Sequence, residues 1–165
     1  MTAPELQLGH IVAAVTPRLN SISDADASRP RSEGKWSRKE IVGHLIDSAS
    51  NNHGRFVRAQ FSDDLICPTY DQDAWVRAQR YSQAPWVELV SLWSLSNLHL
   101  ARVIAAIPSE DRSRRRLRHN LHEVAFRTIP ASEPSTLEYF IQDYVVHLEH
   151  HLSQIFGGRR SEMTR

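Results

Sequence analysis

His147 and His151 stand four residues apart in the run Asp143-Tyr144-Val145-Val146-His147-Leu148-Glu149-His150-His151-Leu152-Ser153-Gln154-Ile155. On a helix this spacing stacks two imidazoles one turn apart on the same face. Neutral imidazole is a ligand for zinc, nickel, copper and iron alike, so metal binding is the first chemistry the pattern offers. A short motif of this kind also arises by chance on the edge of a buried helix, and a third ligand is needed to decide. A second polar stripe supplies candidates. His44, Ser48, Asn51 and Arg55 recur at i, i+4, i+7 and i+11, beside an apolar face, as in a polar strip inside a bundle. His99 is the main rival for the third position. His53 points elsewhere, and His10 reads as a surface or core-edge residue.

The elements that must carry these residues follow from hydrophobic spacing. The His147/His151 helix starts at Ser135, with Glu138 three residues on as a capping box, and ends at Gly157-Gly158. Leu137, Phe140, Ile141, Tyr144, Val145, Leu148, Leu152 and Ile155 form its apolar face. The two histidines fall on one edge of that face, and His150 falls well toward solvent. A helix over 37–60 opens on Ser37 with Glu40 as its box partner and buries Ile41, Val42, Leu45, Ala49, Phe56 and Ala59. A helix over 85–107 has Trp86, Leu89, Trp93, Leu100, Val103, Ile104 and Ile107 on its core face. A first helix over 4–22 should be kinked or split at Pro17.

Residues 23–36 read as a loop. Residues 61–84 read as a long connection with a helical piece near Trp75–Arg80, its aromatics Tyr70, Trp75 and Tyr81 covering one end of the bundle. Residues 109–134 hold Arg112, Arg114, Arg115, Arg116 and Arg118, read as a solvated basic loop. Val124–Ile129 could pack on the bundle as a short apolar segment.

The whole makes an all-α fold, a four-helix bundle with a long connection between its second and third helices. It forms a single domain over 1–158 with a mobile tail over 159–165. A length of 165 residues is enough for a substantial core. The net charge of +1 gives no overall field for nucleic acid or an anionic membrane. The single Cys67 excludes an internal disulfide and suits a reducing compartment. No leader-like segment and no uncharged apolar run of bilayer length is evident, so a cytoplasmic protein is expected.

The block Trp36-Ser37-Arg38-Lys39-Glu40-Ile41-Val42-Gly43-His44-Leu45-Ile46-Asp47-Ser48, paired with His147-Leu148-Glu149-His150-His151-Leu152-Ser153-Gln154-Ile155, resembles the DinB/YfiT-like superfamily. The helix order matches across essentially the whole chain. The resemblance implies a four-helix bundle, often dimeric. It also implies a divalent metal (nickel, zinc, iron or manganese) held by three histidines, which by motif are His44, His147 and His151. Members of the superfamily include thiol-dependent S-transferases and isomerases and proteins described as metal-dependent hydrolases.

Three imidazoles leave coordination positions open, the layout of a catalytic rather than a structural metal site. The helix-borne base of the H-E-x-x-H proteases is absent, because Leu148 follows His147 and Glu149 lies on another face. Asn51 and Arg55 are the expected catalytic partners, with Asp47, Ser48 and Gln154 near enough to support the ligands. The expected function is small-molecule chemistry, with transfer of a low-molecular-weight thiol ahead of hydrolysis. A non-catalytic metal-binding or dimeric scaffold is the rival from another class, and a nucleic-acid role ranks third.

Overall fold

Four long helices carry the apolar stripes: α1 (Pro4–Asn20), α3 (Arg38–Ala59), α5 (Trp86–Ala106) and α8 (Leu137–Phe156). Between them lie the short helices α2 (Asp24–Ser28), α4 (Gln72–Gln79), α6 (Ser109–Ser113) and α7 (Leu121–Val124), and a 3₁₀ turn over Tyr81–Gln83. The structure, a computed structural model, describes residues 3–157. The expected tail at 159–165 lies outside them. No strand occurs among the described residues, only isolated bridges such as Arg116 with Ser135.

The long helices close a ring in which α5 packs on α1 and α3, and α8 packs on α3 and α1. Helices α5 and α8 are therefore diagonal, linked through the core where the Tyr144 hydroxyl donates to Asn97 Oδ1. By length and composition α5 is apolar enough to cross a membrane, although Glu88 and Arg102 interrupt its apolar run. Here it walls the bundle, with Trp93, Leu100 and Ile104 fully buried. The core helix of a bundle meets the same compositional test as a membrane span.

Local signals fix the ends of the two helices that matter most. At α3 the Ser37 hydroxyl accepts from the Glu40 amide, and the Glu40 carboxylate accepts from the Ser37 amide at 2.8 Å, a complete capping box. At α8 the cap is Thr136, whose hydroxyl accepts from the Tyr139 amide at 3.1 Å. Ser135 was expected there, but its backbone is paired both ways with Arg116, and Glu138 turns instead to the Arg112 guanidinium at 2.6 Å. Gly157 ends α8 with φ 68°, a left-handed position glycine adopts without strain.

Three further expectations change. Pro17 sits in the last turn of an unbroken α1. The carbonyl it deprives of a partner belongs to Ala13, which is exposed like Pro17 itself, so water can serve it. The loop at 23–36 contains α2, capped by Ser23. Asp24 there accepts from buried Lys39 at 3.0 Å and from the Trp86 amide at 2.9 Å, joining the starts of α3 and α5. The arginine run is a clamp more than a solvated loop. Arg112 reaches Glu5 and Glu138, Arg114 reaches Asp63 and Asp111, and Arg118 reaches Asp64. Arg116 is only 1% exposed and donates to the Ala59 carbonyl at 2.8 Å.

The two long connections are fastened to each other. The Leu65 amide donates to the Arg118 carbonyl, and the Asn120 side chain exchanges two 2.9 Å bonds with the backbone of Cys67. Together they fold over the cleft between α3 and α8.

Gly43 is where α3 meets this layer. A Cβ there would lie 2.2 Å from Tyr81 ring carbons, and the Tyr81 hydroxyl is held by Asp47 at 2.7 Å and Gln79 at 2.8 Å. The ring has no easy escape. Gly43→Ala should therefore lower unfolding free energy by about 1–3 kcal/mol, although alanine favours the helix by up to about 1 kcal/mol. Urea unfolding measures it; an unchanged or raised midpoint would show that Tyr81 can yield.

Candidate metal centre

The α3–α8 contact brings His44 of one helix against His147 and His151 of the other. His44 Nε2 faces His147 Nε2 at 3.1 Å. The ring centroids stand 5.1, 4.7 and 4.6 Å apart, each pair edge-on. One nitrogen from each ring falls within 4.8 Å of the others. Imidazole nitrogens about 2.0–2.1 Å from a tetrahedral ion lie about 3.4 Å from one another, so the span and the donor set suit a divalent cation.

The rings are in the form a cation needs. Burial, reinforced by the neighbouring His151, pushes the His44 imidazole from 6.5 down to about 3. His147 is held well below 6.5 by burial and then by His151, His44 and His150. Burial lowers His151 as well. Neutral imidazoles expose a lone pair each, whereas facing imidazoliums would repel. His151 Nδ1 is 3.1 Å from Gln154 Oε1, which can only accept, so Nδ1 carries the proton and Nε2 the lone pair. Gln154 in turn donates to His150 Nε2 at 3.1 Å. Ser48 Oγ lies 3.5 Å from His147 Nδ1. His44 Nδ1 is buried with no partner.

A cavity of about 450 Å³ opens beside the triad, walled by Ser48 and Arg55 of α3, Tyr70 of the first connection, Phe126 of the second and Tyr144 of α8. Phe126 packs its ring 5.5 Å from His147 and 5.1 Å from His150. On the other side of His151 a second, shallower cavity of about 610 Å³ lies between Trp36 and Gln154, with Arg31 and Lys35 at its rim. Trp36 covers His44 at 5.2 Å.

The expected site residues are distributed unevenly. Arg55 lines the first cavity. Asn51 does not, because its amide is spent on the Asp47 carbonyl of its own helix at 2.9 Å; the next residue, Asn52, lines the wall instead. Asp47 faces away, accepting from Tyr81 and Gln79. His150, expected toward solvent, is half-buried and lines the cavity under Phe126. His99 pairs with His53 at 5.2 Å on another face of α3, and Glu149 points away, accepting from Gln7 at 3.3 Å.

The residue that sequence reasoning missed is Asp143. Its carboxylate accepts from the Phe126 amide at 2.7 Å, the Arg127 amide at 2.8 Å and Arg127 Nε at 3.1 Å. It thereby fixes the Phe126 wall. The signal was available: Asp143 precedes His147 by one turn on the same face.

A helical bundle with three histidines converging between two of its helices defines a class, the metal-site four-helix bundles. The sequence profile of the DinB superfamily matches residues 7–155, and the chain belongs to that superfamily. It is 26% identical over 148 residues to YfiT of Bacillus subtilis, covering 90% of this chain and 78% of that one. It is 32% identical over 57 residues to a protein of Oceanobacillus iheyensis, a match spanning 34% of this chain and 33% of that protein's length. Both bear the name "putative metal-dependent hydrolase". The solved YfiT structure, described as having an unusual four-helix bundle topology, superposes with a TM-score of 0.75 at 20% identity, covering 93% of this chain and 82% of that one.

The buried rings set an acid limit on stability. Unfolded histidines titrate near 6.5, whereas folded His44 titrates at about 3, so below 6.5 the unfolded chain binds more protons. Stability present above about 6.5 must drain away as pH falls toward 3. Metal-free protein should show a falling thermal midpoint from pH 7 to pH 5, and His44→Gln should flatten that slope. Parallel slopes for the two proteins would contradict the buried neutral ring.

Proposed function

We propose that this protein is an enzyme acting on a small molecule through a divalent metal held by His44, His147 and His151, and that its reaction transfers a low-molecular-weight thiol to an electrophile. The observation that carries the reading is the convergence of three neutral imidazoles beside a cavity large enough for substrate. A divalent ion bound there (nickel, zinc, iron or manganese) supplies Lewis acidity and lowers the pKa of a coordinated nucleophile.

The chain's own residues account for the rest. Gln154 fixes the His151 tautomer, while Phe126 and Trp36 shield the rings from bulk water. Two features favour transfer. Cavities lie on both sides of His151, room for two reactants. Three carboxylates on the helices of the triad are turned elsewhere: Asp143 to the 126–127 backbone, Asp47 through Oδ1 to Tyr81 and Gln79, Glu149 to Gln7. Ionisation of the nucleophile would then rest on the metal, which would deprotonate a coordinated thiol outright but bring the pKa of water only to about 7. Cys67 is buried and free, in keeping with a reducing cytoplasm. Hydrolysis is the second reading, supported by the name its relatives bear.

Untagged protein should hold about one divalent ion per chain, lost in His147→Ala, as expected for a three-ligand site. Metal-loaded protein should then consume an electrophile only when a thiol is supplied, with the rate abolished in His44→Ala. Turnover of model esters without thiol would select hydrolysis instead. Metal content indifferent to His147→Ala would end both.

A further inference from the structure

Arg55 is buried to 6% exposure, yet none of the ion pairs among the described residues includes it. Its Nη2 donates to the Pro68 carbonyl at 2.7 Å, its Nη1 makes a long 3.5 Å contact with Asn52 Oδ1, and its Nε has no partner. A buried guanidinium is costly unless an opposite charge and full hydrogen bonding compensate it. Arg112 and Arg114 each meet two carboxylates. Arg116 is also buried outside any of these ion pairs, and its Nε, like that of Arg114, has no partner, but its two Nη groups donate to the carbonyls of Ala59, Asp111 and Arg114. Arg55 alone among these four lines the cavity that holds the triad.

The surroundings shape a slot for a ligand. The Tyr70 and Phe140 rings each stand 5.8 Å from the guanidinium carbon. Neither acid in the cavity wall pairs with Arg55: Asp143 accepts from residues 126 and 127, and Glu123 accepts from Asn120 at 3.2 Å. We propose that the molecule taken by this cavity carries an oxyanion, a carboxylate or a phosphate, that docks on Arg55 while its reacting end reaches the histidines. The planar fork of arginine suits either group. Arg55 lies eleven residues after His44 on α3, about three turns or roughly 16 Å along the axis. The preferred substrate is thus anionic at the end remote from the chemistry. The inference rests on the cavity being the substrate site, but docking of the anion needs no metal.

The test is a titration of metal-free wild-type protein with inorganic phosphate and, separately, with succinate, at constant ionic strength. The readouts are the thermal midpoint and the Arg55 Nε–H resonance. At least one anion should raise the midpoint and shift that resonance. Phosphate alone would identify a phosphate-bearing substrate, succinate alone a carboxylate; either supports the proposal. Arg55→Met should fold, keep its metal stoichiometry, and weaken the effective anion by about tenfold or more, the loss expected for a charged hydrogen bond. Absence of any shift with both anions, or equal stabilisation of Arg55→Met, would overturn the proposal. Should Arg55→Met fail to fold, the Nε–H resonance of wild type decides alone: unmoved by both anions, it refutes the docking. Metal stoichiometry and thiol turnover in His44→Ala report separately on the proposed function, so the two can fail independently.

Discussion

Two imidazole nitrogens can face each other at 3.1 Å inside a protein only while at most one carries the proton between them, and burial keeps both rings of this pair neutral. That constraint governs the α3–α8 seam. It requires burial, which the apolar faces of both helices provide, with Leu45, Leu148 and Leu152 all fully buried. Neutrality is also helped by the turning of Asp47, Asp143 and Glu149 to other partners. Burial, tautomer and metal affinity are thus one property seen three ways.

Much of this was legible from residue types and periodicity. The capping box at Ser37, the apolar faces of α3, α5 and α8, and the left-handed glycine after α8 depend on neighbours in sequence, where local physics dominates. The grouping of His44 with His147 and His151 came from the family resemblance, since the polar stripes alone left His99 as a rival. Ser135 failed as a cap because a partner distant in sequence, Arg116, claimed its backbone. Asn51 lost its place to Asn52 because a helical wheel gives direction and not the tilt of a cavity wall. His150 looked solvent-bound on the wheel, since Phe126 arrives from a connection without periodicity.

The connections carry what the helices cannot. The long helices set the spacing of the histidines, but the cavity beside them is completed by Tyr70 and Phe126. Segments lacking secondary structure hold those positions through the Asn120–Cys67 exchange and the arginine clamp. Half-buried Arg112 bridges Glu5 and Glu138 at once, so the clamp works as a network more than through any single bond.

The carboxylate of Asp143 grips the backbone amides of residues 126 and 127, besides the Arg127 side chain. Amides are present whatever residues occupy those positions, proline excepted. The side chain at 126 can therefore be exchanged, resizing the chamber and retuning its selectivity, while Asp143, His147 and His151 stay in register on one helix. The architecture separates what is anchored from what is free to diversify.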